Sequence, residues 1–249
     1  SDQGYEQSIQ VQVQQRREAQ LAAVVDTNDA TDVLTFSPAD ANESRWLTRA
    51  IGSVGQELAS LREIVFGEER WERHWLVLDL NAGSGLLTWE ALRRVPEGGV
   101  WALVKDEPTA QALGEQSQHL AQLSRPQVLV GSIIKVTPNL NVNFDRIIGR
   151  NVLGSLEDKT AILKSIAGLL VKGGGLSLVE AIPSRAQRLS DLMNTSTWPE
   201  GLADSFRELE EVLYADSTNP MTNWKASDLL DLCGAAGLHE AQTVVIPME

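Results

Sequence analysis

The chain has 249 residues, of which 43% are hydrophobic, and carries a formal charge of -13 from 34 acidic and 21 basic side chains. That length can bury one substantial core, and the apolar content excludes general disorder. The acidic balance opposes contact with phosphate backbones, so no direct nucleic-acid binding is expected.

The single cysteine, Cys233, excludes an internal disulfide and a cysteine-rich zinc site. His74, His119 and His239 share no ligand spacing, so no metal is expected. No apolar run approaches membrane-spanning length, and no basic stretch followed by an apolar one opens the chain. Neither a membrane span nor an intact signal peptide is expected, and the cytoplasm is the default compartment.

Residues 1–40 read as a polar tail and linker, glutamine-rich at first, with a short extended piece at 32–36. Residues 41–249 read as one domain. It begins with a helix over 42–67, whose apolar stripe (Trp46, Ala50, Val54, Leu58, Leu61, Ile64) would pack across the sheet that follows. From Trp75 the rhythm changes. WLVLDL (75–80) is a continuous apolar strand, NAGSG a tight turn, and LLTWEALRRV a helix, with Trp89 buried against a neighbour. VWALV (100–104) is a second strand, followed by a helix over 109–123 and strands at 126–132 and 144–150.

The segment 156–171 is an amphipathic helix that Gly173, Gly174 and Gly175 stop before a strand at 176–182. Helices are expected within 184–218, then a helix over 224–237 capped by Ser227, and a final strand at 241–248. Strands apolar on both faces, separated by helices, predict an α/β fold with a doubly wound, mainly parallel sheet and right-handed crossovers.

The glycine turn ends a central strand beside the switch point of such a sheet, where ligands bind. Gly83 and Gly85 remove side chains where a ligand approaches, and N–H groups at the helix start can meet electronegative atoms. The turn has no lysine before its threonine, which excludes a nucleotide triphosphate loop of the Walker type. A turn whose glycines serve packing alone is the alternative reading.

These residues carry a resemblance. VLDLNAGSGLLTWEAL resembles motif I of class I S-adenosylmethionine-dependent methyltransferases. FDRIIGRNVL resembles their fourth-strand motif, and LLVKGGGLSLVEAI their fifth-strand segment. The similarity is close over about 74–182 and looser out to 248. It implies a Rossmann-like class I methyltransferase fold with S-adenosyl-L-methionine as cofactor, Asp79 beside the cofactor, and a loop of Asn81, Ala82, Gly83 and Gly85 around its methionine and ribose parts. Asp79 accepting only local backbone N–H groups is the alternative.

The chain departs from that pattern at three places. Asn81 stands where the family has glycine, Val104 where an acidic residue holds the ribose hydroxyls, and Ser132 where an aspartate often contacts the adenine amino group. Asp106 or Glu107 would substitute for the missing acid only if the loop shifted by two or three residues. The usual sheet also has an antiparallel last strand that is not accounted for here, and an exposed edge would favour pairing. Arg150 and Asn151, at the end of the fourth strand, are the candidates for substrate contact. Ion pairing with Glu157 or Asp158, and capping of the next turn, are their respective alternatives.

The opening SDQGYEQSIQVQVQQRREAQLAA resembles the C-terminal tail of the replication-associated recombination protein A family of AAA+ ATPases, some cyanobacterial forms of which resemble fusions with a methyltransferase-like extension. This implies a neighbouring ATPase portion active in DNA replication and recombination. The enzymatic expectation is a methyltransferase acting on an unknown small-molecule or protein acceptor. The other is a non-catalytic docking or regulatory module, which Val104 and Ser132 favour and the intact glycine turn opposes.

Overall fold

Largely apolar runs form the centre of the sheet. In this computed structural model, residues 58–67, 70–118, 120 and 122–247 are described. The strands are β1 (Leu76–Asp79), β2 (Gly99–Val104), β3 (Gln127–Val130), β4 (Phe144–Arg150) and β5 (Leu170–Val179), in the order β3-β2-β1-β4-β5. Pairings β1–β2, β1–β4 and β2–β3 are all parallel, with Asp79 in register with Ala102 on one side and Ile148 on the other. The chain steps outward from β1 to β3, returns to β4 on the other side, and so creates its switch point next to β1. This is the expected Rossmann-like, class I methyltransferase topology.

The chain divides into two compact units. The first holds the described residues up to Arg150 together with Leu169–Leu178, and therefore the body of the sheet; the second holds Asn151–Gly168 and Val179–Pro247. In the first, α1 (Leu86–Arg94) and α2 (Glu107–Ser117) pack on β1, β2 and β3. Val77, Leu78, Ala91, Val100, Phe144, Ile147 and Ile148 are fully buried there. Glu90 is buried in α1 and held by Arg93 and Arg94 at 2.5 and 2.8 Å, a fork that closes the last turn of the helix. A short helix, α3 (Ile133–Val136), follows β3.

Residues 58–66 are helical, and Leu58, Leu61, Val65 and Phe66 are buried. The expected stripe is therefore corrected at its end: Ile64 is 43% exposed, because the continuation from Leu61 runs through Val65. The remainder of that stripe, like the N-terminal tail, lies outside the described residues.

The second unit contains α4 (Lys159–Ala167), α5 (Leu189–Leu192), α6 (Leu202–Ala215) and α7 (Ala226–Ala235). Asp158 caps α4 by accepting the Ala161 N–H at 2.8 Å. At the start of α7 the capping residue is Lys225, not Ser227: the Asp228 carboxylate reaches back to accept the Lys225 N–H at 2.9 Å. Two strand expectations are also corrected. β5 runs through the three glycines from Leu170 and stops at Val179, and residues 241–247 form no strand. Among the described residues the sheet has five strands, with β3 and β5 at its edges.

Candidate functional site

The carboxyl end of β1 is stitched to both neighbouring strands. Leu80 donates its N–H to Ile148 O and Ala82 to Leu103 O, each at 2.9 Å. The Asn81 side chain continues this across the switch point, its Nδ2 donating to Arg150 O at 2.9 Å. An exposed asparagine thus holds the β1 turn to the end of β4. It brings Asn81 and Arg150, two residues singled out in the sequence, together.

Gly83 and Gly85 have φ of 47° and 83°, left-handed values that glycine adopts without a side-chain penalty. Gly85 caps α1. A Cβ on Gly85 would stand 2.4 Å from Trp89 Nε1 and 2.8 Å from Leu113 Cδ1. The space this glycine vacates is occupied by the protein's own indole and leucine, so its role is packing.

Asp79 is fully buried. Its Oδ2 accepts the Thr88 hydroxyl at 2.8 Å, and its Oδ1 accepts the Asn81 N–H at a longer 3.4 Å. Burial dominates these hydrogen bonds and pushes the carboxyl from 3.8 up to about 7. A carboxyl poised there changes charge near neutrality.

Val104 is 1% exposed and belongs to an apolar cluster with Ala82, Ala102 and Leu113, against which Trp89, Ala110 and Val128 pack. One turn residue, the strand-end position and the residues over Gly85 therefore close on one another. The nearby acids do not replace the missing acceptor. Asp106 caps α2, its Oδ1 accepting both the Thr109 N–H at 3.0 Å and the Thr109 hydroxyl at 2.6 Å. Those bonds draw its carboxyl below the usual range. Glu107 is exposed in the first turn of α2.

Ser132 is exposed at the start of α3 and makes no side-chain cap bond. Arg150 is half-buried at the end of β4. Asn151 opens the second unit at φ 52°, donating its N–H to Val179 O at 2.8 Å and accepting the Ala181 N–H on Oδ1 at 3.0 Å. The backbone of the loop after β4 is therefore fixed, not simply capped.

S-adenosylmethionine has a cationic methionine end and an adenosine end, and the residues fit the two unequally. Toward the first, the titratable Asp79 supplies negative charge beneath the turn, while the Asn81 and Ala82 N–H groups are held by Asp79 Oδ1 and Leu103 O. The buried Val104 cluster offers no acceptor to two ribose hydroxyls at the second. Among the described residues, no group of three acidic, histidine or cysteine side chains is placed to hold a metal ion. No helix among them is long and apolar enough to cross a membrane.

Sequence reading missed Thr88, Leu113 and Glu180. Thr88 was findable, since a hydroxyl one turn into the helix after a glycine turn can reach back to the strand end. Leu113 and Glu180 carry no local signal, because their partners lie elsewhere in the chain.

No protein-family model matches the chain, and neither does any curated protein. Similar solved structures include a mitomycin 7-O-methyltransferase, at 17% identity over 89% of this chain and 61% of that one, with a TM-score of 0.49. Coclaurine N-methyltransferase bound to N-methylheliamine and S-adenosylhomocysteine is similar at 14% identity over 70% and 50% of the two chains, TM-score 0.47. A glycopeptide N-methyltransferase is similar at 20% identity over 53% and 59%, TM-score 0.42. The chain thus spans 50 to 61% of the length of these three proteins.

Proposed function

We propose that this domain is an S-adenosylmethionine-dependent methyltransferase, acting on an acceptor of unknown identity, that grips the methionine end of its cofactor and holds the adenosine end weakly. The observation that carries the reading is the buried Asp79, titrating at about 7 beneath a glycine turn at the switch point of a parallel sheet. Asp79, Asn81, Ala82 and Gly83 would hold the methionine part; Val104 and Ser132 flank the adenosine part without the acidic groups that usually bind it. The bound cofactor supplies an electrophilic methyl group on a sulfonium. The chain's part is to hold donor and acceptor in line, with Arg150 on the acceptor side.

A second reading is supported by the same cluster. Trp89 and Leu113 over Gly85, with Val104 beneath, make a self-packed recess that suits a docking or regulatory module. The neighbouring ATPase suggested by the N-terminal tail would be its partner.

Calorimetry with S-adenosylmethionine and S-adenosylhomocysteine separates the two. Binding tighter than about 100 µM, corresponding to about -5.5 kcal/mol, and lost in Gly83→Asp, supports the enzyme. Absence of heat at millimolar ligand rejects it in favour of the docking module.

A further inference from the structure

Glu180 directly follows β5, and its carboxylate lies against the turn after β4. Oε1 accepts the Val152 N–H at 2.6 Å and the Leu153 N–H at 3.0 Å, and Oε2 accepts the Gly154 N–H at 3.2 Å. Three consecutive amides converging on one anion form a nest, a concavity of backbone donors that binds negative charge. Here the anion belongs to the protein. Asn151 N–H adds a bond in the same direction to Val179 O, and Ala181 N–H donates back to Asn151 Oδ1. Five hydrogen bonds therefore lace 151–154 to 179–181, and Asn151 enters this turn in the left-handed region that asparagine tolerates.

A neutral side chain would not do the same. Glutamine has one acceptor oxygen, and its amide donors would face the Gly154 N–H. Each bond to a carboxylate is also charge-assisted, hence stronger than its neutral counterpart. Lys159 is the charged neighbour that favours the ionised form, while its Nζ donates to Leu156 O and Pro220 O, both at 2.8 Å. Against these, burial pushes the Glu180 carboxyl above its ordinary value. The clamp is strong only when the carboxyl is ionised.

We infer that Glu180 is a pH-sensitive clamp, holding the loop 151–154 to the residues that follow β5 and releasing it when the carboxyl is protonated.

The test uses the full chain labelled for amide NMR, in wild-type and Glu180→Gln forms, with S-adenosylhomocysteine calorimetry on both. In the wild type, the Val152, Leu153 and Gly154 amide signals should titrate together, with one midpoint above the ordinary carboxylate range. Glu180→Gln should abolish that titration and speed exchange of these three amides at least tenfold. Amides of β1 and β2 and the S-adenosylhomocysteine affinity should change less than twofold. The clamp is overturned if the three amides do not titrate, or if exchange accelerates equally throughout the sheet.

Discussion

The Thr88 hydroxyl donates to Asp79 Oδ2 at 2.8 Å, inside a core where neither residue is exposed. This bond joins the end of β1 to the first turns of α1, and it favours the ionised carboxylate. Burial outweighs it, leaving Asp79 at about 7.

The sign of the pH effect follows. A carboxyl whose folded-state value is raised binds more protons folded than unfolded. Its stabilising contribution is complete below 3.8 and is lost as pH rises through about 7. Wild type should lose stability relative to Asp79→Asn across that window, with a slope approaching about 1.4 kcal/mol per pH unit. Urea unfolding of both proteins at pH 4, 5.5, 7 and 8 measures it. A pH-independent difference would show that Asp79 stays ionised.

Ligand binding should report on the same proton. A cationic sulfonium held near Asp79 favours its charged form, so S-adenosylmethionine should release a fraction of a proton at pH 7, detected by calorimetry in buffers of different ionisation enthalpy. Asp79→Asn should abolish the release. Equal heats in all buffers would place the bound cation away from Asp79.

Glu90 provides a control of opposite sign. Burial raises its carboxyl, but the hydrogen bonds from Arg93 and Arg94 outweigh burial and bring it below the ordinary value. Its stabilisation is present above the unfolded value and fades as pH falls through the folded one. Glu90→Gln should cost about 1–3 kcal/mol at pH 7 and progressively less below pH 4.

Gly85→Ala should destabilise the domain twice over. The left-handed backbone costs about 1–2 kcal/mol for any residue with a Cβ, and the new methyl group collides with Trp89. Combining it with Trp89→Ala should relieve the indole clash but neither the Leu113 contact nor the backbone cost, as denaturant midpoints will reveal. Full rescue would mean that the backbone at Gly85 tolerates alanine freely.

Val104→Asp separates the recess from the core. A carboxyl in that apolar cluster should cost about 3 kcal/mol or more without ligand. If ribose approaches there, millimolar S-adenosylhomocysteine should raise the melting temperature of the variant more than that of wild type. An equal rise in both would show that residue 104 does not meet the nucleoside.

What the sequence determined by itself was the succession of elements and the place of the turn. WLVLDL and VWALV are legible because strands buried on both faces are largely apolar, and FDRIIGR because its polar residues flank the buried pair Ile147 and Ile148. NAGSG is legible because only glycine takes φ of 47° and 83° at no cost. The strand at 241–248 was misread for the same reason: an apolar alternation states β preference, but pairing needs a neighbour that composition cannot supply.

Tertiary structure alone decided the character of the site. Asn81 bonds to Arg150 from 69 residues away, Glu180 reaches 28 residues back to Val152, and Leu113 fills the space beside Gly85 from another helix. Local periodicity cannot encode such contacts, because the sheet order that brings β1 between β2 and β4 is fixed by packing of the whole chain. The titration of Asp79 is likewise a property of its surroundings, since burial, not residue type, moves it toward neutrality.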